Sequence, residues 1–171
     1  MGTYQFRREQ KINASQDRVW DFIATPANLK LITPDYMSFD ILGQDLPEKM
    51  YAGMILMYRV SPLLGIKLNW VTEISHVKEG VYFVDEQRIG PYRLWHHQHH
   101  LKSHGDGVVM EDVVTYSPPF GLMGSAMKKF IIERKLNEIF DYRESAIDAY
   151  FGEMNQEDGK HAEVRMNPSS N

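Results

Sequence analysis

Polar and apolar residues alternate through most of the first 117 positions, and beyond them the apolar residues recur at helical spacing. Thr3 to Ile12, with Tyr4 and Phe6 between polar neighbours, predicts a first strand. Asn13-Ala14-Ser15 breaks it. Ser15 is a good helix N-cap with Gln16 and Asp17 in the first turn, and Val19, Trp20, Phe22 and Ile23 give the following helix an apolar face. Pro26 ends that helix or opens the next. A second short helix is expected from Asn28 to Ile32, stopped by Thr33-Pro34. Six strands are predicted after it: Ser38 to Leu42, Gly53 to Val60, Lys67 to His76, Val81 to Ile89, Arg93 to Ser103 and Val108 to Tyr116. Lys78-Glu79-Gly80, Gly90-Pro91 and Gly105-Asp106-Gly107 are turn signals between them, and such short connections imply an antiparallel meander.

Ser117-Pro118-Pro119 closes the strand-rich part. From about Gly121 to Phe151, residues Met123, Met127, Phe130, Leu136, Ile139, Phe140, Ile147 and Tyr150 mark one broad stripe. A helix of that length is ~45 Å long at ~1.5 Å per residue, enough to cross a whole sheet. Gly152 is expected to end it, and the polar, aperiodic residues 152–171 are expected to be a disordered tail. The expected fold is therefore α+β and a single domain over 1–151. A curved antiparallel sheet of six to seven strands, with two short helices after the first strand, is covered by the long C-terminal helix. A twisted sheet touches such a helix along a line, which leaves room for a cavity.

Composition narrows the partners. A chain of 171 residues is long enough for one domain with a sizeable core. Its net charge of -4 argues against nucleic acid, because phosphate binding needs a basic surface. There are no cysteines, so disulfides, thiolate metal sites and cysteine nucleophiles are excluded. No stretch approaches the ~18 apolar residues of a membrane span, and Met1 to Lys11 lacks the apolar core of a signal peptide. The expectation is a cytoplasmic monomer or homodimer with no stable membrane insertion. Ten methionines suit an ordinary core or, more sharply, a pliable pocket wall.

Several local motifs resemble the START/polyketide-cyclase-like (SRPBCC) superfamily, and among its members the small bacterial ligand-binding branch. They are Thr25-Pro26-Ala27-Asn28-Leu29 with Ile32-Thr33-Pro34, then Phe83-Val84-Asp85-Glu86-Gln87. Gly90-Pro91-Tyr92-Arg93-Leu94-Trp95, His97, and Asp112-Val113-Val114-Thr115-Tyr116-Ser117-Pro118 follow in order. The likeness covers roughly Tyr4 to Tyr150. It implies a helix-grip fold with a deep cavity between sheet and C-terminal helix that holds lipids, polyketides or other hydrophobic molecules. Some members are cyclases or aromatases and many only bind, so fold leaves the chemistry open.

The run Trp95-His96-His97-Gln98-His99-His100 is the densest chemical signal. Alternate strand residues share a face, so Trp95, His97, His99 and Leu101 fall together. By the same parity Phe83, Asp85, Gln87 and Ile89 share a face, as do Met110, Asp112, Val114 and Tyr116. If these faces point inward, a turn at Pro91 puts Gln87 opposite Trp95 and Asp85 opposite His97. A Gly105-Asp106 loop puts His99 opposite Asp112, whereas an Asp106-Gly107 turn shifts its partner to Val114.

Three roles stay open for this polar group: satisfied core pairs, recognition of a ligand's polar end, and acid–base catalysis. In a binding role, Tyr58, Trp70, Phe83, Trp95, Tyr116, Met127 and Phe130 supply apolar contact, and Asp85, Gln87, His97, His99 and Asp112 fix a polar group. The enzymatic alternative is a cyclase- or dehydratase-like activity with His97 or His99 as base, oriented by Asp85 or Asp112. A non-catalytic protein-interaction module is the third class. His97-x-His99 with Asp85 or Asp112 also has donors that suit zinc or iron, but the pattern is short, and no metal or cofactor is expected. Lys128-Lys129 and Arg134-Lys135 are expected on the solvated side of the long helix.

Overall fold

The computed structural model describes residues 2–43, 46–61, 67–118 and 125–166, with the side chains of 125–129 and 156–166 outside the description. The chain runs β1 (Tyr4–Ile12), α1 (Gln16–Ile23), two 3-10 turns (Pro26–Lys30 and Asp35–Met37), β2 (Asp40–Leu42), β3 (Met54–Val60), β4 (Leu68–Lys78), β5 (Tyr82–Ile89), β6 (Leu94–His104), β7 (Gly107–Ser117) and α2 (Ser125–Met166). The expected second short helix is thus a 3-10 turn that Pro26 opens, with another after Pro34. The seven strands form one sheet in the order β1-β7-β6-β5-β4-β3-β2, every neighbouring pair antiparallel. This is a meander whose first strand returns to pair with its last.

Two local features fix how the site is assembled. The Ser15 hydroxyl accepts from the Arg18 backbone N–H and caps α1, whose buried Val19, Trp20, Phe22 and Ile23 join the main core. The β6–β7 loop is Gly105-Asp106, with His104 opposite Gly107 and Gly105 at a φ of +60°. Glycine at the first position of a two-residue loop is what a type II′ hairpin needs. That loop selects the register in which His99 faces Asp112.

The long helix packs through Ile132, Leu136, Phe140, Ile147 and Phe151, all buried. Spacings of four and seven keep these side chains on one line along the helix. Phe130 does not belong to it. Two residues before Ile132, it lies about 200° round the helix, and it is 68% exposed. Gly152 does not stop α2 either. A mid-helix glycine costs only about 1 kcal/mol relative to alanine, and buried Phe151 and the Asn155 amide, which donates to the Asn13 carbonyl at 2.8 Å, hold the chain helical past it. Met123, Gly121 and Gly124 lie outside the described residues.

On β5 the inward row ends early. The pairing jumps from Thr72 opposite Gln87 to Val71 opposite Ile89, so one extra residue, Arg88, is accommodated as a bulge. The bulge changes the phase, and Ile89 turns out to 61% exposure instead of facing the core. No helix among the described residues is long and apolar enough to cross a membrane.

Candidate functional site

A cavity of about 140 Å³ lies between the sheet and α2. Its apolar wall includes Leu56, Trp70, Phe83, Trp95, Ile139 and Phe140. Trp70 stands edge-on to Trp95 at 5.4 Å and to Tyr92 at 5.7 Å, and Tyr58 stacks near Trp70 at 6.3 Å. The Tyr58 hydroxyl is hydrogen-bonded to Thr72, which uses its polar atom inside the wall. Strand parity explains the set: Tyr58 pairs with Trp70, and Leu56 with Thr72, on the inward rows of β3 and β4.

One part of the wall is polar. Asp85 lies opposite His97 and His99 opposite Asp112, as the parity predicts. The His97 Nε2–H donates to Asp112 Oδ1 at 2.8 Å, and its Nδ1 lies 3.3 Å from Asp85 Oδ2. The His99 Nε2 lies 2.9 Å from Asp85 Oδ2, and its Nδ1 lies 2.8 Å from Asp112 Oδ1. The two imidazoles, 3.8 Å apart between ring centres, therefore bridge the same two carboxylates. Phe83 stacks on His99 at 4.1 Å and Phe140 meets His97 edge-on at 5.8 Å, so apolar rings hold both imidazoles in place.

The fifth member comes from α2. Arg143 Nη1 donates to Asp112 Oδ1 at 3.2 Å, and the guanidinium lies 4.8 Å over the Phe140 ring. Its Nε is buried without a hydrogen-bond partner among the described residues. Arg143 was legible in the sequence: three residues after Phe140 and four before Ile147, it falls on the apolar stripe. A cation there needs a buried counter-charge, and Asp112 supplies it.

Charge is shared within this cluster. Burial pushes both carboxyls up, but it is outweighed. The His97 charge and hydrogen bonds from both imidazoles hold Asp85 well below the usual carboxylate range. Hydrogen bonds from both imidazoles and the Arg143 charge do the same for Asp112. Burial alone would lower His97, yet the Asp85 charge and the bond to Asp112 keep it above its ordinary value. A raised imidazole contributes stability in full below about pH 6.5 and loses it as the pH rises through the folded value; depressed carboxyls contribute above about pH 4 and lose it as the pH falls. Thermal unfolding in EDTA, where only protons load the cluster, is therefore expected to be most resistant between about pH 4 and 6.5. Circular dichroism melts from acid to alkaline pH check this, with Asp112→Asn flattening the profile. A melting temperature that climbs steadily to pH 8 contradicts it.

Of the residues singled out from sequence, Tyr58, Trp70, Phe83, Asp85, Trp95, His97 and His99 line the cavity. Asp112 sits behind the imidazoles, 2% exposed, and orients them rather than lining the space. Gln87 is spent locally: its amide donates to the Tyr92 carbonyl and its oxygen accepts from the Tyr92 N–H, closing the β5–β6 hairpin. The β5–β6 pairing ends at Glu86 opposite His96, so Gln87 has no ladder partner at Trp95. Tyr116 is buried against Tyr4 and Tyr92 behind the wall, not in it. Phe130 points away, and the Met127 side chain lies outside the described residues. Lys135, expected on the solvated side, reaches the cavity rim beside Tyr36. His96 and His100 take the other face, bonded to Glu86 and Gln98.

Comparison with solved structures places this architecture. The chain superposes on Ara h 8.0201 with a TM-score of 0.60 at 13% identity, covering 88% of this chain and 98% of that one. Protein Ms6760 from Mycobacterium smegmatis gives 0.62 at 18% identity over 88% and 92%. Ginseng major latex-like protein 151 from Panax ginseng gives 0.61 at 13% over 87% and 97%. No protein-family model and no curated protein matches the sequence. The fold these structures share with the chain is the helix-grip fold, a curved antiparallel sheet closed by a long C-terminal helix.

Proposed function

We propose that this protein binds a small hydrophobic or amphipathic molecule, of lipid, polyketide-like or aromatic type, in the cavity between the sheet and α2. The observation that carries the reading is the division of the wall: aromatic and aliphatic side chains over most of it, and Asp85, His97, His99 and Arg143 together at one place. Apolar pockets with a few convergent polar groups are the usual form of small-molecule sites. The apolar body rests on Trp70, Trp95 and Phe83, and the polar end meets the His/Asp/Arg group. All four imidazole nitrogens lie within 3.3 Å of a carboxylate oxygen. Each is already directed at a carboxylate, which favours binding over the cyclase- or dehydratase-like alternative.

Native mass spectrometry of untagged, gently purified protein tests this. A small-molecule adduct is expected, absent from the Trp70→Ala/Trp95→Ala double variant. Titration of tryptophan emission with fatty acids, aromatic carboxylic acids and polycyclic phenols is the companion measurement. A bare polypeptide mass together with no response to any of these classes sinks the reading. Turnover that disappears in His97→Ala while affinity persists would favour the enzyme instead.

A further inference from the structure

We propose that Asp85, His97 and His99 form a binding site for a divalent first-row metal ion, zinc or ferrous iron, on the cavity wall. One donor atom from each of these residues lies within 4.8 Å of the other two, and both histidines are buried. This departs from the expectation drawn from sequence that the chain carries no metal, and the reason is geometric.

Each imidazole turns one nitrogen to Asp112 and the other to Asp85. The nitrogens facing Asp112, His97 Nε2 and His99 Nδ1, both lie 2.8 Å from its Oδ1. If they carry the single protons of neutral imidazoles, the lone pairs of His97 Nδ1 and His99 Nε2 fall beside Asp85 Oδ2, at 3.3 and 2.9 Å. Three electron-rich atoms so close repel one another unless positive charge sits among them. Two protons supply it, and one divalent ion supplies the same charge while sparing two imidazolium rings with centres 3.8 Å apart.

The separations fit an ion. Donors ~2.0–2.1 Å from a metal stand about 2.9 Å apart at right angles and about 3.4 Å apart at the tetrahedral angle. Imidazole and carboxylate are the donors that zinc and ferrous iron share. Asp112 would then be the outer carboxylate that fixes both imidazole tautomers, itself held by Arg143. Asp85, His97 and His99 all line the cavity, so the remaining coordination positions open toward it. A ligand's polar end would meet the ion there.

The test uses untagged full-length protein stripped with EDTA and dialysed. It is titrated with cobalt(II), read by visible d–d absorption, then with zinc(II) in competition and, without oxygen, with iron(II). One equivalent is expected to bind and to raise the melting temperature. Asp85→Asn and His99→Gln are each expected to weaken binding by about 100-fold or more, and Asp112→Asn by about 10- to 100-fold. His96→Gln/His100→Gln, on the opposite strand face, leaves binding unchanged. Circular dichroism confirms that each variant is folded. No saturable binding overturns the proposal, as does binding that follows His96 and His100 or survives Asp85→Asn together with His99→Gln. Binding of apolar molecules in EDTA reads the cavity alone, so either reading can fail without the other.

Discussion

Asp112→Ala is expected to lower the free energy of unfolding by about 3–5 kcal/mol, the range for removing one partner of a buried charged group. Asp112 is 2% exposed and accepts from His97 and Arg143, with His99 Nδ1 at 2.8 Å. Alanine leaves the Arg143 guanidinium, whose side chain is 13% exposed, facing an empty space with its Nε already unpaired. Domains of this kind are stable by only about 5–15 kcal/mol, so the variant should sit near the limit of folding. Urea denaturation measures the loss. Combining the substitution with Arg143→Met removes the stranded cation and should recover part of it, giving a coupling between the two sites. A loss below about 1 kcal/mol would mean that water replaces the carboxylate without cost, and that the cluster is not the closed unit described above.

Ile139→Trp is expected to abolish small-molecule binding, with affinity falling by about 100-fold or more, equivalent to about 2.8 kcal/mol. Ile139 lies on α2 between Leu136 and Arg143 and packs beside Trp70, Tyr92 and Trp95. An indole there points into the same space a ligand needs. Overfilling a tight core costs about 1–3 kcal/mol, but a cavity of about 140 Å³ receives the added ring, so stability should change by less than in a closed core. Tryptophan-emission titration and a urea curve read the two effects separately. Unchanged affinity in a folded Ile139→Trp protein would move the binding site away from this cavity.

The two substitutions address different levels of the structure, and these levels differ in how far the sequence reveals them. Strand parity is local: successive side chains alternate, so Trp95, His97 and His99 share a face whatever lies around them. Turn chemistry is nearly as local. Gly105-Asp106 left only two registers open for β7, and glycine's access to positive φ at the first loop position favours the one that sets His99 against Asp112. The succession of strands and the long helix was therefore legible from the chain itself, and the Asp85–His97 and His99–Asp112 pairings stood among the registers it left open.

What the sequence by itself determined is an antiparallel meander of six to seven strands on which Asp85, His97, His99 and Asp112 alternate in phase with apolar residues. The tertiary structure decided what meets that face. A helix has no parity, and its rotation is set by which side chains fit against the sheet. Docking turned Ile132 in and Phe130 out, although the apolar pattern alone had placed Phe130 on the stripe. A bulge at Arg88 and the Tyr92 backbone claimed Ile89 and Gln87, because local hydrogen bonding and strand twist override alternation where a ladder ends. Closing the imidazole–carboxylate ring required side chains from β5, β6 and β7 to converge to within 3.3 Å and Arg143 to reach Asp112 across 31 residues. No local rule specifies that convergence; it follows from the curvature of the sheet and the seat of α2 upon it.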